Sequence, residues 1–242
     1  MIYAALTDVG IKRNNNEDSY IVNTEGKDKL FIVADGMGGH NAGEVASLEA
    51  CRIIESHVMN TEGNIEDVLK TAVEKANRDL FIRASENEGM RGMGTTIDAL
   101  VATDDCIYVA HVGDSRVYVI TDGDMRKITK DHSIVGMMVD SGSITEEEAK
   151  IHPQRNLITR AVGTAMTVDV DIVKEEIHTR QWILMCTDGL TNMVAKDEIH
   201  SIFKECEDAD AIAKTLVEKA KQNGGDDNIT VVVIKMKKGG GR

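Results

Sequence analysis

Aspartates stand at the ends of four apolar, strand-like runs. Asp35 follows "FIVA", Asp114 follows "VAHVG", Asp188 follows "ILMCT" and Asp227 precedes "NITVVVI". One aspartate beside a glycine is ordinarily a turn residue. A recurrence at strand tips is harder to dismiss, because strands in facing sheets could bring these tips together. Converging carboxylates repel one another unless they are protonated or bind cations. Carboxylate and carbonyl oxygens without a His or Cys cluster suit Mg²⁺ or Mn²⁺ rather than zinc. Gly36 follows Asp35 and leaves its own carbonyl unobstructed for such an ion.

Other phosphate and nucleophile chemistries fail on spacing. A dinucleotide fingerprint would need glycine where Asn41 stands. A P-loop from Gly38 to Gly43 continues with Glu44 and Val45 in place of Lys and Ser/Thr. No GxSxG serine elbow is present. None of Cys51, Cys106, Cys186 and Cys206 is followed six residues later by arginine. "DVDIV", Asp169 to Val173, resembles the nucleophile motif of haloacid-dehalogenase-type phosphatases, with Asp169 as nucleophile. It reads instead as the alternating start of a strand, because no apolar strand precedes it.

The elements that must position these residues are legible from pattern. Strands are expected at Leu30–Ala34, Thr95–Ala102, Cys106–Val112, Arg116–Ile120, Gln181–Cys186 and Asn228–Met236, with the middle ones forming a meander. One helix face is expected from Val45, Leu48, Cys51, Ile54 and Val58. A second comes from Ile65, Val68, Leu69, Ala72, Ala76 and Leu80, and a third from Ala209, Ile212, Ala213, Leu216 and Ala220. "TEEE" at Thr145 predicts a capped short helix. Paired helices and runs of antiparallel strands favour a layered α+β fold.

The 242 residues suggest one large domain, and 42% hydrophobic content suffices for its core. Aromatics are 3%, so aliphatic side chains must fill that core. A net charge of −13 argues against nucleic acid as a partner. The cysteines form no CxxC pair, and Cys106 and Cys186 read as buried small hydrophobes. No signal peptide or membrane-length apolar run is visible, so a cytoplasmic protein is expected. Residues 237–242 read as a loose tail.

Taken in order, the motifs resemble a known family. They are "TDVGIKRNNNEDS" (Thr7–Ser19), "VADGMGGHNAGE" (Val33–Glu44), "GMGTT" (Gly92–Thr96), "HVGDSRVY" (His111–Tyr118), "TKDHS" (Thr129–Ser133), "GSITEEEAKIHPQRNLITRAVG" (Gly142–Gly163), "CTDGL" (Cys186–Leu190) and "GGDDNITVVVI" (Gly224–Ile234). The chain resembles the bacterial metal-dependent serine/threonine protein phosphatases of the PPM (protein phosphatase 2C) type. The resemblance implies a single domain over 1–236, built as a four-layer α/β/β/α sandwich with a flap near 131–163. It also implies hydrolysis of phosphoserine and phosphothreonine by water activated at a binuclear Mn²⁺ or Mg²⁺ centre, with no phosphoenzyme. Asp35 would bridge the ions and the Gly36 carbonyl would bind one. Asp188 and Asp227 would complete the pair, and Asp114 with Asp188 would hold a weaker third ion, or else Asp114 is only a hairpin-turn aspartate. Glu17 and Asp18 would contact metal-bound water, or else only cap a turn. Arg13 would grip the substrate phosphate.

Many eukaryotic members of the family carry a histidine where Met37 stands, so either His40 donates the proton to the leaving group, or His40 only packs at the start of the following helix and metal-bound water supplies that proton. His111 is expected to be a satisfied core histidine, and His132 and His152 to be structural. Met137 and Met138 are expected to pack beneath the flap. Partners would be phosphorylated proteins and a cognate serine/threonine kinase, with the phosphatase a monomer away from membranes. The alternatives are a phosphopeptide-binding pseudoenzyme and the Asp169 phosphatase.

Overall fold

The computed structural model describes residues 1–26, 28–38, 42–176 and 181–236. Its strands are β1 (Ile2–Asp8), β2 (Asp18–Asn23), β3 (Lys29–Met37), β4 (Gly94–Thr95), β5 (Ile97–Ala102), β6 (Cys106–Val112), β7 (Arg116–Ile120), β8 (Met125–Lys127), β9 (Asp171–Glu176), β10 (Trp182–Cys186) and β11 (Ile229–Lys235). Its helices are α1 (Ala42–Asn60), α2 (Ile65–Glu86), α3 (Ile134–Asp140), α4 (Glu146–Ile151), α5 (Asp188–Thr191), α6 (Lys196–Glu205) and α7 (Ala209–Gln222). One sheet runs β1-β11-β10-β7-β8. The other runs β2-β3-β5-β6-β9, with β4 beside β3.

The apolar runs are continuous because both faces of each central strand are covered. Successive strand side chains point to opposite faces. In β11, Val232 and Ile234 enter the core between the sheets, while Val231 and Val233 pack toward α6 and α7. In β3, Phe31 and Val33 face the other sheet, while Leu30, Ile32 and Ala34 pack under α1 and α2. The layers are therefore helix pair, sheet, sheet, helix pair, as expected.

Helix packing differs from expectation in α1. Its fully buried face is Ala42, Ala46, Ser47, Ala50, Cys51 and Ile54, and Val45 and Leu48 are only partly buried. Small side chains win that face because they let the helix lie close on the sheet. The α7 face is buried as read, with Asp208 capping the helix by accepting from the Ala211 amide (3.1 Å). Thr145 and Glu148 form the expected capping box on α4. Strands β1, β2 and β8 and helices α3, α5 and α6 were not legible in the pattern.

Strands β5, β6 and β7 are not one meander. β6 pairs with β5 and β9, whereas β7 pairs with β10 and β8. The turn at Gly113–Ser115 therefore crosses from one sheet to the other. Pairing partners are a tertiary choice, and three consecutive apolar runs look alike whether or not the chain changes sheet. Between β8 and β9 lies the segment expected to form a flap, with α3 capped by Ser133 and α4 by Thr145. Met137 is 52% exposed and does not pack beneath it. Cys186 is buried as expected, but Cys106 is only partly so.

Candidate metal centre

Pairing places the first two acids. Asp18 on β2 lies opposite Asp35 on β3. Like charges directly across a strand pair are destabilising. The Asp35 backbone is clamped: its amide donates to Thr96 Oγ1 (2.9 Å), and its carbonyl accepts from the Thr96 amide and Thr95 Oγ1 (both 2.9 Å). Gly36 is required next, since a Cβ there would land on the Gly43 carbonyl oxygen at the start of α1.

Asp18 is also tied to the facing sheet. Its Oδ2 accepts from Thr187 Oγ1 (2.9 Å) and Thr230 Oγ1 (2.6 Å). Thr187 precedes Asp188, which opens α5, and Thr230 follows Asp227 by three residues. These threonines were not anticipated. They look like ordinary strand residues until the two sheets are brought together. Asp114 arrives from the sheet crossing. Asp188 Oδ2 accepts from Asn192 Nδ2 (3.0 Å).

The acids sense one another. Burial is the main cause that pushes Asp35 well above the usual carboxylate range, with Asp18, Asp188, Asp114 and Asp227 adding to it. Burial likewise raises Asp18 to about 7, against the two threonine hydroxyls and with Asp188 and Asp227. Asp114 is pushed to about 7 by burial, then by Asp188 and Asp131, against Arg116. Burial and Asp227 raise Asp188. Three carboxylate oxygens of this group, Asp18 Oδ1, Asp114 Oδ1 and Asp188 Oδ1, are buried without a hydrogen-bond partner. Each such group costs about 1–3 kcal/mol. A cluster of them is stable only if protons or cations neutralise it.

The donor set fits hard divalent cations. Among the described residues no group of three or more His, Cys, Asp or Glu side chains is arranged to hold an ion by itself. Oxygen donors alone, carboxylates with the Gly36 carbonyl beside Asp35, are the ligand type that Mg²⁺ and Mn²⁺ take.

Arg13 sits at the rim. Its Nη2 donates to Asp227 Oδ2 (2.7 Å), and the two side chains are 52% and 37% exposed. The loop carrying it is pinned by Asn228, which donates from Nδ2 to the Val9 and Asn15 carbonyls (both 2.9 Å) and accepts from the Glu17 amide (2.8 Å). Sequence reading missed Asn228, although it adjoins Asp227. Glu17 is raised by burial, against Arg13 and with Asp227 and Glu44.

The remaining candidates separate cleanly. His40 lies outside the described residues. His111 is a satisfied core histidine, bonded to Asp98 Oδ1 (2.7 Å) and the Lys130 carbonyl (2.8 Å). His152 accepts from the Gln154 amide in a local turn (3.2 Å). Asp169 is exposed and precedes β9 instead of ending a strand, and its carbonyl accepts from Arg160 Nη1 (3.2 Å). The nucleophile reading of Asp169 fails on that placement.

A family model for protein phosphatase 2C matches residues 11–219. The serine/threonine phosphatase stp of Listeria innocua is 39% identical over 235 residues, spanning 94% of this chain and 93% of that one. The serine/threonine phosphatase Stp1 from Staphylococcus aureus superimposes with a TM-score of 0.93 at 33% identity, covering 97% of this chain and 94% of its own. The catalytic domain of the phosphatase PstP, solved with two manganese ions, gives a TM-score of 0.86 at 35% identity, with 96% of each chain covered.

Proposed function

The chain belongs to the protein phosphatase 2C family and is a metal-dependent serine/threonine protein phosphatase, and from that premise we propose how its own residues do the work. Asp35, the Gly36 carbonyl, Asp188 and Asp227 would hold two divalent ions, and Asp114 with Asp188 would hold a third, weaker one. The observation that carries this reading is the set of buried, unpartnered oxygens on Asp18, Asp114 and Asp188. The two manganese ions of PstP support two principal sites and Mn²⁺ as one occupant.

When bound, such ions acidify a water and neutralise charge developing on the phosphate. The protein contributes positioning. Arg13 binds the phosphate through a planar, bidentate guanidinium that lysine would not reproduce. Asp18, held by two threonines, keeps Oδ1 free to accept a hydrogen bond from the attacking water, and Glu17 does so from the rim. Displacement is in line and direct, so no serine or cysteine nucleophile takes part. We assign the leaving-group proton to His40 on chemistry alone, since Met37 cannot donate one. Then His40→Ala slows phosphothreonine-peptide hydrolysis by roughly 10²–10⁴ and spares p-nitrophenyl phosphate. Equal losses on both substrates remove His40 from that role.

Substrates are phosphorylated proteins. On the same footing we read residues 1–236 as one catalytic domain, monomeric and cytoplasmic, opposing a serine/threonine kinase. No described helix is long and apolar enough to cross a membrane. The deciding experiment strips the protein with a chelator and follows phosphopeptide turnover on return of Mn²⁺, Mg²⁺ or Ca²⁺. Restoration by Mn²⁺ or Mg²⁺ is expected. Full turnover in the chelator overturns the metal reading.

A further inference from the structure

A second buried polar cluster lies beside the metal centre, where the flap leaves the body. His132, at the foot of the flap, exchanges two hydrogen bonds with Gly113. The His132 amide donates to the Gly113 carbonyl (2.7 Å), and the Gly113 amide donates to His132 Nδ1 (3.0 Å). Gly113 begins the turn that crosses between sheets, has φ +117, and is followed by Asp114. A side chain at Gly113 would also strike Thr96, so the turn has little freedom to adjust.

The network assigns protonation states. His111 Nε2 donates to the Lys130 carbonyl (2.8 Å), and its Nδ1 lies 2.7 Å from Asp98 Oδ1, so the ring is held from both sides. The His132 ring lies 4.7 Å from that of His111. Its Nδ1 receives an N–H and therefore carries no proton, which puts the single ring hydrogen on Nε2. Nε2 then donates to Asp171 Oδ2 (3.3 Å). Arg160 Nη1 lies 3.0 Å from Nε2, but two donors cannot bond, and Arg160 is satisfied by Asp171 Oδ1 (2.6 Å) and the Asp169 carbonyl. Burial, with His111 and Arg160 beside the ring, holds the His132 pKa down to about 4. A protonated His132 would set N–H against N–H at Gly113.

We propose that His132 is a positioning residue: its unprotonated Nδ1 fixes the Gly113–Asp114 turn and so ties the foot of the flap to the Asp114 side of the metal centre. The proposal rests on the reading of Asp114 as a ligand of the weaker ion. Through this clasp, movement of the flap alters how well Asp114 is presented. His132 touches no reacting atom and acts only through the turn.

Two polar replacements separate its contacts. In His132→Asn, Oδ1 takes the place of Nδ1 and can still accept from Gly113. In His132→Gln, the amide reaches the position of Nε2 and leaves the Gly113 amide without an acceptor. Each is compared with wild type by calorimetric Mn²⁺ titration, by the Mn²⁺ dependence of kcat, and by exchange of the Gly113 amide hydrogen. His132→Gln should weaken the lower-affinity Mn²⁺ site by about tenfold, the loss of roughly one hydrogen bond, and speed Gly113 exchange. His132→Asn should keep both near wild type. Equal behaviour of the two variants, whether both intact or both impaired, overturns the proposal. Asp114→Ala is the reference. If it leaves the weaker site unchanged, the ligand reading of Asp114 fails, and the Gly113 exchange rates still decide whether the clasp exists.

Discussion

Asp35 faces Asp18 across a strand pair, where chemistry without a cation would place opposite charges or apolar groups. Asn in place of Asp35 keeps the shape and removes the charge. Asp35→Asn should lower kcat by at least about 10²–10³, the scale of losing one transition-state electrostatic group, and should lose tight Mn²⁺ binding in calorimetry. Unchanged stoichiometry and affinity would sink the bridging role. Arg13 is a different kind of residue: a donor at the rim, paired in this structure with Asp227 (2.7 Å) and half exposed. Its removal should cost the 1.5–3 kcal/mol of hydrogen bonds to a charged group, a rise in KM of about 10- to 100-fold for phosphopeptides. Tight Mn²⁺ binding should persist. A normal KM with a lost ion would move Arg13 from substrate to metal.

At the scale of elements, the sheet crossing at Gly113–Ser115 and the flap foot at His132 behave as one joint. Arg116 and Lys127 on the strands hold Asp131, the residue before His132, at 2.7 and 2.8 Å. Thr159 returns the far end of the flap to the His132 carbonyl (2.8 Å). This joint has a pH signature. His132 has its pKa lowered from 6.5 to about 4 by burial, His111 and Arg160. Between those values the unfolded chain binds a proton that the folded chain refuses, so this group's contribution to stability falls as pH drops through that window. The wild type should therefore lose stability relative to His132→Asn by up to about 1.4 kcal/mol per pH unit between pH 6.5 and 4. Urea unfolding of both proteins at matched pH and metal content measures the difference. Parallel pH slopes would mean that His132 titrates alike in both states.

The whole molecule is strongly acidic, at −13, and concentrates part of that charge between its sheets. Cations that bind only the folded state stabilise it, by about 2.7 kcal/mol at a hundredfold excess over Kd. For a chain of this size that corresponds to a Tm increase of about 5–10 °C. Adding Mn²⁺ to chelator-treated protein should produce such a shift in a thermal unfolding assay, and Asp35→Asn should show a smaller one. The same shift in both proteins would assign the stabilisation to the general surface charge.

Much of this protein was legible in one dimension. Strand β11, the face of α7 and the Thr145 cap follow from local periodicity and capping chemistry, which depend on neighbours a few residues away. Asp35, Asp114, Asp188 and Asp227 were legible as strand-tip acids for the same reason, and the motif order supplied the family. The rest depended on contacts between distant segments. Whether β7 continues its sheet or leaves it is set by which strands pair, and that choice carries Asp114 into the centre. The threonines that hold Asp18 come from 169 and 212 residues away, and Asn228 pins a loop more than 200 residues earlier. His132 read as structural, but its tautomer and its hold on Gly113 exist only once β6, β9 and the flap foot meet. Sequence by itself determined which oxygens could bind a cation. Tertiary structure decided which of them share a space, because hydrogen bonding and desolvation act between whatever groups the fold brings within a few ångströms.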